Sequence, residues 1–188
     1  MGKVLGKVTC FITRKNSDKL ELLLIHHPNA GIQLPAGTVE IDENFDEAAY
    51  REATEETGLE NFISCKMIGS SEQILEGQYI IFKKAKIYSR PDTSSSQWAE
   101  IRRGITVSHE RKHDGFIQVS YTEGDKYPEP SYITYQITGW VEEKYLSSKI
   151  RRNFYHLQSN NELDEWEIET DNHTFKLFWS PLDNLPPI

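Results

Sequence analysis

No apolar run in the 188-residue chain approaches the roughly 18 residues that span a bilayer, and the best, Leu20 to Ile25, is interrupted by Glu21. There is no signal-peptide apolar region, and Met1-Gly2 is followed by Gly6 where a myristoylation signal has Ser or Thr. Only two cysteines occur, Cys10 and Cys65, without a CxxC pair or a disulfide framework, which fits a reducing compartment. The expectation is a soluble cytoplasmic protein without a membrane partner. Internal repeats and a dividing linker are also lacking, so one domain over 1–188 is expected. Ser94-Ser95-Ser96 and Pro128-Glu129-Pro130 read as loop punctuation. Apolar residues at 37 % and aromatics at 11 % exclude a disordered acidic chain.

Charge of one sign is missing from one place. Between Glu40 and Glu60 nine carboxylates meet a single base, Arg51, and no lysine. This stretch carries the whole net charge of −8, and the remainder balances. Like charges at i,i+4 on a helix destabilise it by a few tenths of a kcal/mol per pair. A solvated helix face is the plain alternative, but the absence of lysine points to an outside compensator, for which a divalent cation is the usual choice. Overall acidity and the lack of a basic stripe argue against duplex nucleic acid as a partner.

Alternation and β-branched residues predict strands at Val4–Thr13 and Leu20–His26, then a loop over Pro28–Gly37. A helix is predicted over Phe45–Thr57, capped by Asn44 with Glu47 at N3 and closed by Gly58 at C′. Further strands are expected at 62–74, 79–88, 105–108, 116–121, 132–141, 149–157 and 175–179, with a short helix at Ser95–Arg103 ahead of Gly104. The chain therefore reads as α+β.

On the 45–57 helix, Glu52, Glu55 and Glu56 fall within roughly 100° of arc, and Phe45, Ala48 and Ala49 share that face within roughly 120° in all. An apolar stripe that turns into carboxylate must pair those anions or give them a metal. Written with its flanks, the segment is Gly37-x5-Glu43-x7-Arg51-Glu52-Ala53-x-Glu55-Glu56-x-Gly58-Leu59. It resembles, at every position, the signature box of the Nudix (MutT-like) hydrolases, and seven fixed residues at fixed spacing make this a specific match. The preceding Leu34-Pro35-Ala36 and the closing Phe178-Trp179-Ser180-Pro181-Leu182 look like the same family.

The resemblance implies an α/β/α sandwich around a mixed sheet, with a β-hairpin insertion at about 90–130 and a reduced or displaced C-terminal helix. The insertion is a candidate for a pocket wall or a homodimer interface. The implied activity is a Mg²⁺-dependent (or Mn²⁺-dependent) hydrolase of nucleoside diphosphates linked to another moiety, by attack of water on phosphorus. Glu52, Glu55, Glu56 and the Ala36 carbonyl would hold the metal. Arg51, Glu52 and Glu55 form the implied catalytic set, with Glu52 as the motif's base oriented by Arg51. Gly37, Glu43 and Gly58 would be structural. The competing reading is a non-catalytic sensor that binds such a nucleotide without turning it over. No proline occurs between Gly58 and Pro91, which weakens any likeness to the ADP-ribose hydrolases of the family.

The substrate's phosphates should meet cations, and Lys83, Lys84, Lys86, Arg102-Arg103, Arg111-Lys112, Lys149, Arg151 and Arg152 are candidates. Tyr79, Trp98, Tyr155 and Trp166 are candidates for stacking on a base. His109-Glu110-x-x-His113 spells a zinc-protease motif, but its neighbours are extended, which separates the two histidines by roughly 13 Å. Asn172-His173-Thr174 is a glycosylation sequon without meaning in a cytoplasmic protein.

Overall fold

A computed structural model describes residues 3–126, 129–170 and 173–188. Met1-Gly2, Pro128 and Asn172, singled out above, lie outside the described residues.

The chain opens with β1 (Leu5–Asn16) and β2 (Lys19–His27), a hairpin whose turn holds Ser17 at φ 54°. Two three-residue strands follow, β3 (Gly31–Gln33) on β2 and β4 (Ala36–Thr38) on β1, inside the stretch expected to be loop. Helix α1 (Phe45–Thr57) matches its expected bounds, and β5 (Ser64–Ile74) comes next. The run 79–88 is two strands, β6 (Gln78–Ile81) and β7 (Ala85–Tyr88). β8 (Gln97–Ile101) replaces the helix expected at Ser95–Arg103. Its residues pair antiparallel with β7, and Gly104, at φ 87°, turns the chain toward the next strand instead of closing a helix. The short alternation of Ala99 and Ile101 about Glu100 prevails over the helix-end signal of Arg102-Arg103-Gly104.

β9 (Thr106–His113) and β10 (Phe116–Gly124) form a hairpin through Asp114 and Gly115, both at positive φ. His109 and His113 thus lie along a strand, as the extended reading required. β11 (Ile133–Glu142), a single 3-10 turn at Glu143–Tyr145 and β12 (Leu146–Ser147) lead into β13 (Lys149–Gln158), β14 (Glu165–Thr170) and β15 (His173–Pro181). β14 was not expected. Its Glu-Trp-Glu-Ile-Glu alternation is plain, but the carboxylates hide the two inward residues, Trp166 and Ile168, which pack on the core. The irregular Leu182–Ile188 follows β15, and no second α-helix occurs among the described residues. The α+β class holds. No described helix is long and apolar enough to cross a membrane.

The chain divides into two compact units. One comprises Met1–Leu5 and Glu72–Arg151, and the other Gly6–Ser71 and Arg152–Ile188. The first contains a seven-stranded sheet ordered β12-β6-β9-β10-β11-β7-β8, so the expected 90–130 insertion forms part of that sheet. Its core includes Ile81, Ile87, Ile101, Val107, Ile117, Val119 and Val141. The second unit is built on the sheet β14-β15-β2-β1-β13-β5. One face of it, through Val8, Cys10, Ile12, Leu23, Ile25, Tyr155, Leu157, Phe175, Leu177 and Trp179, packs against Ala48, Ala49 and Ala53 of α1. Small residues on the helix allow this close approach, and alternation along each strand puts the core residues on one face.

The ends of α1 are fixed by hydrogen bonds. Asn44 Oδ1 accepts from the Asp46 and Glu47 amides at 2.9 and 3.0 Å, and Glu47 Oε2 accepts from the Asn44 amide at 2.9 Å. Gly58, at φ 69°, donates its N–H to the Thr54 carbonyl. The Trp166 indole N–H donates to the Thr57 carbonyl at 2.8 Å, which ties the helix end to β14. Replacing Asn44 by Ala should therefore destabilise the protein by about 1 kcal/mol in chemical unfolding. An unchanged midpoint and slope would show that the cap does not set the helix start.

Candidate catalytic site on helix α1

The caps set the rotation of α1, and the rotation sets where its acids lie. Glu52 comes to rest against β4: a Cβ on Gly37 would overlap the Glu52 carboxyl group, so any larger residue there would displace that carboxyl. The need for Gly37 is close approach, whereas the need for Gly58 is its left-handed backbone. Glu56 reaches the same strand, and its Oε2 accepts the Ala36 amide at 2.8 Å. Glu55 lies further out, with 56 % of its side chain exposed.

Arg51 connects the acids. Its Nε and Nη2 donate to the two oxygens of Glu43 at 2.8 and 3.0 Å, a bidentate pair. Nη1 donates to Glu52 Oε1 at 2.8 Å and Glu55 Oε2 at 3.0 Å, and Nη2 also reaches the Thr38 carbonyl at 3.2 Å. Glu43 additionally accepts the Glu40 amide at 2.8 Å. The guanidinium thus fastens the loop at Glu43, the strand at Thr38 and the helix at Glu52 and Glu55 to one another.

The charges respond to this arrangement. Hydrogen bonds from Arg51 hold the Glu43 carboxyl below its ordinary value, against a smaller effect of burial. Burial pushes Glu52 up, and the Arg51 contacts only partly oppose it. The hydrogen bond to Glu43 leads the effects that keep Arg51 charged. Glu55 and Glu56 sit in the last turn of α1, where the helix dipole disfavours anions and no basic residue of the turn offsets it.

Among the described residues, no three His, Cys, Asp or Glu side chains are already grouped as a metal cluster. Glu52 and Glu55 face Arg51, and Glu56 faces the Ala36 amide. The donor chemistry nevertheless fits a hard divalent cation: three carboxylates on one helix face, two of them against β4, whose Ala36 backbone already touches Glu56. The structure therefore gathers Ala36, Gly37, Glu43, Arg51, Glu52, Glu55 and Glu56 along one side of α1, with Gly58 at the helix end as its cap.

Several other candidates are committed elsewhere. Lys84 pairs with Glu100, Lys112 with Glu143 and Arg151 with Glu72. Tyr155 is a core residue whose hydroxyl donates to Asp46, and Trp166 spends its N–H on Thr57. The Thr38 carbonyl and the Ala36 amide carried no signal in the sequence, because backbone groups look alike at every position.

Residues 5–89 match the family described as the NUDIX domain. Among solved structures, the NUDIX domain of Shewanella oneidensis NrtR, complexed with ADP ribose, is similar at 12 % identity over 97 % of this chain and 76 % of that one, with a TM-score of 0.46. The Ap4A hydrolase of C. elegans is similar at 13 % identity over 96 % and 83 %, TM-score 0.38. A MutT/nudix family protein from Enterococcus faecalis reaches 21 % identity over 73 % and 52 %, TM-score 0.33. No curated protein matches the chain.

The lowered pKa of Glu43 has a sign. A carboxyl depressed in the folded state adds stability above its ordinary value near 4.5, and that stability is lost as pH falls through the depressed value. Glu43→Gln should lower unfolding stability at pH 7 by about 1.5–3 kcal/mol, with the deficit shrinking as pH falls below about 4.5. Urea titrations of both proteins between pH 7 and 3 measure this, and a pH-independent deficit would contradict the ion pair.

Proposed function

We propose that this chain is a divalent-cation-dependent pyrophosphohydrolase, acting on a nucleoside diphosphate linked to another moiety through attack of water on phosphorus. The observation that carries the reading is the Arg51 network, which holds Glu43, Glu52 and Glu55 beside the Glu56–Ala36 contact. Glu52, Glu55, Glu56 and the Ala36 carbonyl would hold Mg²⁺ or Mn²⁺. The bound cation would offset charge on the diphosphate and acidify a water.

The chain's own residues supply the rest. Burial raises Glu52 toward the range in which a carboxylate can take a proton from water near neutral pH. Arg51 donates to Glu52 Oε1 and so orients the carboxyl group. Glu43 acts at a distance by holding Arg51 in place. The buried Cys10 and exposed Cys65 are both free thiols, which supports a reducing compartment such as the cytoplasm. The binding-only reading draws on one observation, that the acids are engaged by Arg51 and backbone instead of being grouped. It requires that nucleotide binds with no turnover in Mg²⁺ or Mn²⁺.

Assayed on a panel of nucleotide diphosphate derivatives with Mg²⁺, Glu52→Gln and Glu56→Gln should each lower kcat by on the order of 10²–10⁴-fold. Glu110→Gln, on β9, should stay within about twofold, since the general-base role is assigned elsewhere. EDTA should abolish turnover. Equal losses in all three variants would refute the site.

A further inference from the structure

A charge withdrawn from water is normally paired, because desolvation disfavours it otherwise. The second unit holds two cations that depart from this rule. Lys7 on β1 and Arg152 on β13 are both half-buried, and the two strands are neighbours in the sheet. Both side chains lie on the face opposite α1. Val8 and Tyr155, of opposite parity on the same strands, belong to the core that packs on the helix.

Arg152 Nη1 donates to Thr9 Oγ1 at 2.7 Å and to the Val8 carbonyl at 3.4 Å, and neither acceptor carries charge. Among the described residues no carboxylate is paired with Lys7 or Arg152. Burial, and then the Arg152 charge itself, push the Lys7 ammonium down; burial alone lowers Arg152. The pair therefore repels itself where water is scarce, and an anion between them would reverse the sign of that interaction.

The position is informative. Lys7 is opposite Thr38 and Thr9 is opposite Ala36 in the β1–β4 register, with Gly37 between them. Gly37 is the residue on which the Glu52 carboxylate rests. One step further along the same face, Phe11 of β1 and Phe154 of β13 are half-buried with ring centroids 6.4 Å apart. A phosphate site at Lys7 and Arg152 would thus lie on the sheet face opposite the acids of α1, next to the aromatic pair and across β1 from the Gly37 segment of β4.

We propose that Lys7 and Arg152 form an anion site that holds a phosphoryl group of the diphosphate substrate, a proposal that rests on the hydrolase reading for the word substrate but not for the site. The ligand chemistry is a phosphate anhydride, and its source is either a nucleotide or free pyrophosphate.

Titration calorimetry in EDTA, with inorganic pyrophosphate and with ADP as separate probes, tests this without requiring turnover. Wild type should bind ADP, and Lys7→Gln and Arg152→Gln should each weaken it about tenfold or more. Arg152→Lys should retain part of the affinity if Arg152→Gln folds poorly. Lys176→Gln, whose ammonium already pairs with Glu167, should bind as wild type. Lys7→Gln should also melt no lower than wild type, because it removes a repulsion, whereas a purely structural lysine would lower the melting temperature. Tighter binding of ADP than of pyrophosphate assigns the nucleotide as source, and equal binding assigns the anhydride alone. Unaltered affinity in both Gln variants overturns the site, whether or not the protein hydrolyses anything. Intact ADP binding through these residues with no hydrolysis would instead overturn the hydrolase reading and leave the site standing.

Discussion

One guanidinium organises the acidic end of this molecule. Arg51 is the single base among nine carboxylates between Glu40 and Glu60, and it contacts three of them and a strand carbonyl. Without it, the loop at Glu43 and the helix at Glu52 would present mutually repelling anions, most of them removed from bulk water. With it, the ordinary cost of a half-buried carboxylate is offset for Glu43 by a bidentate pair, but only partly for Glu52. The two carboxyls therefore shift in opposite directions, Glu43 down and Glu52 up.

The remaining charge in the segment is handled by hydrogen-bond donors other than Arg51. Glu47 and Asn44 cap α1 reciprocally, Tyr155 donates to Asp46, and the Ala36 amide serves Glu56. Six of the nine acids therefore have identified donors. Two of them, Glu52 and Glu56, are drawn to β4 at the steric margin that Gly37 permits. The negative end of the helix dipole points the same way, so the field at this spot is more negative than the ion pairs alone suggest. A divalent cation is what such a field attracts.

The parts of this account that were legible in the sequence are those written in side-chain type and spacing. The limits of α1 followed from Asn44, Glu47 and Gly58, and the shared face of the three glutamates from helical geometry. The extended surroundings of His109 and His113 were likewise readable, and they removed the zinc-protease pattern. Features that depend on what a residue meets across the fold were not. Residues 97–101 carry a weak alternation and end in a cationic helix-stop signal, and their pairing with β7 decided the outcome. β3 and β4 are too short to show any period. Nothing in the sequence around Lys7 marks it out. Its interest lies in having no paired carboxylate among the described residues, which no local pattern reveals.

The central claim, attack of water on phosphorus at the acids that Arg51 organises, is tested most directly by running turnover in ¹⁸O-labelled water and weighing the products. The account predicts that a cleaved nucleotide diphosphate derivative carries one label on a phosphate product, only when Mg²⁺ or Mn²⁺ is present. Label on a product without phosphorus, or cleavage that persists unchanged in EDTA, would contradict it.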